Sequence, residues 1–200
     1  MQPRNTTLRR LRIDTTASFT LEDATDLSAL KDRRVLVLLD EQNLSIGAER
    51  FGYDLRYDLL AERIQSVAHT SELHLFTAAK QTRVQLARQF QRLGYLVHVK
   101  DIRHIRLPNG GLRTDSNVDN LFSFWAGLLA PEAADTILLG SGDYGLAGEL
   151  AVAIRQRRES LTVMTLSLPG STAQDLDARL NPSIAANLEI GLDLLRPVFQ

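Results

Sequence analysis

Two apolar runs that each stop at a carboxylate constrain this chain more than any other feature. Ile137-Leu138-Leu139 breaks off into Gly140-Ser141-Gly142-Asp143-Tyr144-Gly145, and Val35-Leu36-Val37-Leu38-Leu39 runs straight into Asp40-Glu41-Gln42-Asn43. Short runs without apolar/polar alternation describe strands buried on both faces, the kind found in parallel sheets covered by helices on both sides. The Gly-Ser-Gly turn sets Asp143 just beyond the carboxyl end of its strand, while Asp40 ends the other, with Asn43 one turn further on. Open α/β sheets bind ligands at that end, so the two carboxylates point to a shared site.

The rest of the chain supports this architecture. With 200 residues, 44% hydrophobic and 24% charged, it is long enough to bury a core within one domain. Residues 1–32 read as a basic arm and a short helix, 33–180 as the main domain, and 181–200 as a tail that packs on it. The expected strands are Val35–Leu39, Leu73–Thr77, Tyr95–Val99, Thr136–Leu139 and Leu161–Leu166. Between them lie helices over Tyr57–Val67, from Thr82 to Gly94, over Ser116–Leu129 and over Leu146–Arg157, with a last one around Ser171–Leu180. The stretch after Asn43, which contains Gly47 and Gly52, reads as a loop. This alternation predicts a three-layer α/β/α domain on a parallel sheet with right-handed crossovers.

The bulk properties exclude several classes of function. A net charge of −1 rules out nucleic-acid binding by overall charge and requires a local basic patch instead. Without cysteine there is no disulfide, thiol nucleophile or zinc-thiolate site, which suits a cytoplasmic protein. The four histidines show no metal-ligand spacing. No apolar run approaches a membrane span, and the N-terminus lacks a secretory core. Arg4, Arg9, Arg10 and Arg12, with no acid before Asp14, have the composition of an organelle transit peptide, although a flexible arm is the simpler reading.

Asp40, Asp119 and Asp143 are the candidate catalytic residues. Asp115 lies four residues before Asp119, on one shoulder of the expected helix, and Asn43 offers a neutral oxygen. A set made only of hard oxygen ligands suits Mg²⁺ or Mn²⁺, bound through carboxylates and a substrate phosphate. The competing reading is structural, with Asp143 and Asp115 capping helices and Asp40 bonding loop amides. Lys100, Arg103, Arg106 and Arg113 form a basic hairpin or loop leading into the acidic helix, a surface suited to RNA or simply to solvent. Trp125 reads as core, and Arg155, Arg157 and Arg158 complement the end of a helix.

These residues resemble a known family. Leu39-Asp40-Glu41-Gln42-Asn43-Leu44 resembles the D-G-x-N opening of NYN domains, the LabA-like branch of the PIN-like nuclease superfamily. Leu138 to Tyr144 resembles the family's L-x-S-G-D segment, and Asn117-Val118-Asp119 its x-V-D. The likeness extends from Arg34 to Leu168. It implies a PIN-like five-stranded sheet in the order 3-2-1-4-5 and metal-dependent cleavage of RNA, most simply single-stranded, with Asp40, Asp119 and Asp143 as metal ligands. A homo-oligomer is compatible with it. The chain departs from the pattern at Gly145 and Trp125, where the family has acids, so an NYN module that only binds RNA or a regulatory protein is the alternative. A phosphatase or phosphoacceptor domain fits less well, because Gln42 stands where a second acid is needed, and no G-x-G-x-x-G follows the first strand.

Overall fold

A computed structural model of the chain describes residues 20–79, 84–115, 118–129, 134–171, 177–179 and 181–198. After a 3-10 turn at Ser28–Leu30 come β1 (Arg34–Asp40), α1 (Glu41–Arg50), β2 (Tyr53–Leu55), α2 (Tyr57–Val67), β3 (Thr70–Ala79), α3 (Val84–Arg92) and β4 (Leu96–Asp101). Next are β5 (Arg103–Arg106), β6 (Leu112–Asp115), α4 (Asp119–Leu129), β7 (Thr136–Gly140), α5 (Tyr144–Arg157), β8 (Thr162–Ser167), β9 (Ala186–Glu189) and β10 (Leu195–Pro197).

Because the apolar residues of β1 alternate between two cores, the strand is buried on both sides. Val35, Val37 and Leu39 pack with Leu44 of α1, Leu60 and Ile64 of α2 and Phe90 of α3. Leu36 and Leu38 pack with Phe122 and Ala126 of α4 and with Ala147, Leu150 and Ala151 of α5. This makes a three-layer α/β/α fold. Each fully buried leucine contributes roughly 1.5–3 kcal/mol, so truncating Leu38 at the centre is expected to destabilise by about 2–5 kcal/mol.

The central sheet runs β4-β3-β1-β7-β8-β9, and all its pairings are parallel. It has six strands, so the expected five-stranded order 3-2-1-4-5 is corrected: the tail supplies β9, which adds to the edge beyond β8. The tail then returns to pair β10 antiparallel with β2. Two glycines are set by close approach at the carboxyl end of β7 and in the turn just beyond it. A Cβ on Gly140 would run into the Leu39 side chain, and one on Gly142 would fall on the Ser171 carbonyl oxygen.

Other expectations change as well. The stretch after Asn43 is helix α1, because Asp40 caps it and Leu44 and Ala48 are buried at helical spacing. The expected helix before Lys31 reduces to the 3-10 turn, since Thr25 binds Asp193 through both its amide and its hydroxyl at 2.8 Å. Asp115 ends β6 opposite Arg103, so it shares no helical shoulder with Asp119. Leu128 is exposed and Trp125 half-buried, so neither is fully in the core. Most of the expected helix over Ser171–Leu180 lies outside the described residues.

Candidate functional site

Asp40 stands at the carboxyl end of the central strand, paired in register with Phe76 of β3. It is 6% exposed and caps α1, its Oδ1 accepting the Asn43 amide at 3.1 Å. Burial lifts its carboxyl, the Asn43 amide pulls it back, and the charges of Asp119 and Glu41 lift it further, leaving it at about 6. The dominant cause is desolvation, which disfavours the ionised form. Asp119, the first residue of α4, reaches this end of the sheet from the opposite layer.

Asp143 lies beyond the end of β7, immediately before α5, and is exposed. Its backbone carbonyl accepts the Ala147 amide at 2.9 Å and its own amide donates to the Ser141 hydroxyl at 3.2 Å. Asn43 ties the two strand ends together, since its Oδ1 accepts the Gly142 amide at 2.8 Å. That contact makes Asn43 a brace between the Asp40 helix and the Gly142 turn. The side chain of Asp115 lies outside the described residues.

Sequence reasoning missed Glu41. Its Oε2 accepts the Thr77 hydroxyl at 2.8 Å and its Oε1 the Ser45 hydroxyl at 3.0 Å, which fixes the carboxylate between α1 and β3. The Glu41 to Ser45 spacing is a helical contact visible once α1 is recognised. Thr77 lies on another strand, and no local pattern connects it to Glu41.

Among the described residues no group of three or more His, Cys, Asp or Glu is arranged to hold a metal ion. Besides Asp143 at the neighbouring strand end, Asp40 and Asp119 form a pair of carboxylates whose like charges oppose each other. Such a pair fits a hard divalent cation of the Mg²⁺ type, which takes one or two carboxylates and fills its remaining positions with water and phosphate.

The basic segment is a hairpin of β5 and β6, exposed along both strands, with its turn at Pro108-Asn109-Gly110. Its register divides the arginines between two faces. Arg103 and Arg113 share one with Ile105, while Arg106 lies on the other with Leu112 and His104. Lys100 is half-buried on β4. The four predicted basic residues are therefore neighbours along the chain but do not form one flat patch. An apolar cavity of about 130 Å³ between α4 and α5, lined by Gly127, Leu150, Ile154 and Leu161, contains none of the site residues.

Fold and site together define a three-layer α/β/α protein with an acidic pair at the carboxyl end of a parallel sheet. Among solved structures the chain is similar to a protein of unknown function, VPA0982 from Vibrio parahaemolyticus RIMD 2210633, with a TM-score of 0.67 and 20% identity. The match covers 82% of this chain and 97% of that one. At that identity the likeness shows the fold alone. No known family profile and no curated protein matches the chain. Among the described residues no helix is long and apolar enough to cross a membrane.

Proposed function

We propose that this protein is a metal-dependent ribonuclease of the NYN/PIN-like type that works at the Asp40 and Asp119 end of the sheet. The observation that carries the reading is Asp40, a buried carboxyl raised to about 6 beside the charge of Asp119. Burying an acid against another acid is unfavourable for folding alone, and perturbed carboxyls of this kind concentrate at functional sites. Asp40 and Asp119 would hold Mg²⁺ or Mn²⁺, which when bound neutralises charge on a phosphodiester and lowers the pKa of water. Glu41, held by the Thr77 and Ser45 hydroxyls, adds a fixed negative charge beside Asp40 at this end of the sheet, and Asn43 keeps the Gly142 turn closed against α1. The exposed β5–β6 hairpin, joined to α4 by a short segment, provides arginines for RNA phosphates.

Turnover of single-stranded RNA with Mn²⁺, in wild type and in Asp40→Asn and Asp119→Asn, tests the assignment. Each substitution should lower the rate at least about 100-fold, the scale of losing a group that stabilises transition-state charge. Equal background cleavage in all three proteins would reject it. The second reading is a module that binds RNA without cutting it, supported by Gly145 and Trp125 standing where the resembled family carries acids. Both readings predict that Arg103→Ala with Arg106→Ala weakens RNA binding regardless of sequence and flattens the salt dependence by roughly 0.7 per lost phosphate contact. An unchanged salt slope in the double variant would remove the hairpin from the interface.

A further inference from the structure

A line of titratable groups runs under α4, on the sheet face that also carries Asp40. In the parallel register of β3 and β4, His74 stands opposite Leu96 and Phe76 opposite His98. Glu72 Oε1 lies 2.8 Å from His74 Nε2, and His74 Nδ1 lies 2.8 Å from His98 Nε2. A carboxylate at Nε2 places the His74 proton there, so its Nδ1 accepts and His98 donates through Nε2–H. His74 is 2% exposed, leaving no water to take over either bond.

The His98 ring is the wedge at the end of this line. It stacks on Phe76 at 4.6 Å and 11° and meets Trp125 of α4 at 4.5 Å and 45°. It lies nearly coplanar with the His74 ring, edge to edge across their hydrogen bond, with centroids 5.1 Å apart at 9°. Among the described residues these charged and titratable groups lie around it. Glu72 and His74 come from β3, Lys100 is two residues along β4 on the same face, and Asp119 is the one acid of α4, at its start. Asp40 stands two strands away in the same cross-strand row, with Phe76 between.

We propose that Glu72, His74 and His98 form a proton-locked strut for α4, one that seats Trp125 while His98 is neutral and releases it when His98 takes a second proton. With Nε2–H committed to His74, the added proton goes to Nδ1 and makes a cation inside an aromatic stack. His98 is half-buried, so that cation is only partly hydrated in place and regains its full hydration by leaving the stack, and the ring is what Trp125 rests on. Because α4 begins at Asp119, its seating also fixes where that carboxylate stands relative to Asp40. The strut goes beyond the ribonuclease reading and holds whether or not the protein cuts RNA.

Burial first, and the neighbouring His74 second, hold His98 down at about 4. Its folded value lies below the unfolded value of about 6.5. The unfolded chain therefore binds more protons as pH falls through this interval, and the strut's contribution to stability is lost between about pH 6.5 and 4.

Trp125 is the only tryptophan of the chain, so acrylamide quenching of its fluorescence reads its seating directly. From pH 7 to pH 3.5 the wild-type quenching constant should rise roughly twofold, a local opening, with a midpoint near pH 4 and an unchanged far-UV circular dichroism spectrum. His98→Gln keeps an N–H toward His74 but cannot charge, and His98→Phe keeps the wedge; in both, quenching should stay flat. A flat wild-type curve, an equal rise in the variants, or loss of circular dichroism along with the wild-type rise would overturn the strut. If neither variant folds, ¹⁵N spectra of the wild-type rings decide the matter. A His98 titration near pH 4 that moves with the Trp125 indole signal supports the proposal, whereas an ordinary histidine titration or an indole signal that does not follow it rejects it.

Discussion

At the amino end of the sheet Asp135 stands among partners, whereas at the carboxyl end Asp40 stands among acids. Asp135 accepts from the Arg34 amide and guanidinium and from the Thr136 hydroxyl. Partial burial would raise its carboxyl, but the bonds from Arg34 and Thr136 outweigh that and hold it below the usual range. Beside it, Arg33 donates to the Ala29 carbonyl, Thr136 and Thr162, joining three segments. Asp40 also has its amide bond and its place at a helix start, where a negative charge is favoured. Even so it ends at about 6, because it is buried and the charges that reach it, from Asp119 and Glu41, are both negative. One end spends its polar groups on holding strands together; the other keeps a carboxyl in a state that folding alone does not favour.

The strongest way to break this contrast is Asp40→Asn. With a folded value of about 6 against about 3.9 unfolded, the native state holds its proton longer. Its contribution is therefore full below pH 4 and is lost as pH rises toward 6. At pH 7.5 the asparagine should raise stability by up to about 3 kcal/mol, the equivalent of two pKa units, as measured by urea unfolding. At pH 3.5 the gain should vanish. A loss of stability at pH 7.5 would mean that Asp40 is a structural carboxylate like Asp135.

Arg33→Met should act in the opposite direction. It removes three hydrogen bonds at the amino end while retaining much of the side-chain volume, and a loss of about 1–2 kcal/mol is expected, independent of pH between 5 and 8. A neutral result would show that the strand starts hold without that clamp. The smallest effect belongs to Asp135→Asn. Because the Asp135 carboxyl is lowered, its stabilisation is present above the unfolded value and is lost as pH falls through the folded one. Since 42% of the side chain is exposed, solvent screening limits the loss at pH 7 to a few tenths of a kcal/mol. A loss as large as that of Arg33→Met would place the amino-end charges on a more equal footing than their exposure suggests.

Much of the carboxyl end is legible in the order of the residues alone. The apolar runs around Leu38 and Leu138 announce strands buried on both faces, and a carboxylate directly after such a strand has to stand at its end. The helical stripes of α2 and α4 are legible for the same reason, a repeat that only one backbone period satisfies. What escapes depends on distant partners. α1 looks like a loop because its composition is polar and contains Gly47, and its helical character rests on the Asp40 cap and on burial of Leu44 and Ala48. β9, the short Ala-Asn-Leu-Glu, has little strand propensity of its own and exists because the edge of β8 offers it a ladder. Glu41 becomes a site residue only when Thr77 arrives from another strand. The pairing of Arg103 with Asp115 puts Arg103 and Arg106 on opposite faces, and reading it requires the turn to be placed to the residue.

The clasp between the two ends of the described chain bears on the order in which the protein is made. Thr25 waits for Asp193, 168 residues later, and its hydroxyl then accepts the Gly191 amide. On a ribosome that synthesises from the amino end, the strands bearing Asp40 and Asp143 have both emerged before Asp193 exists. The sheet centre can therefore assemble while β9 and the clasp are still untranslated, and so distant a contact makes the closing step slow. A nascent chain halted before Gly191 would carry its strand-end carboxylates with Thr25 still unlatched, and residues translated long after the sheet centre would be the ones that fasten the first described segment in place.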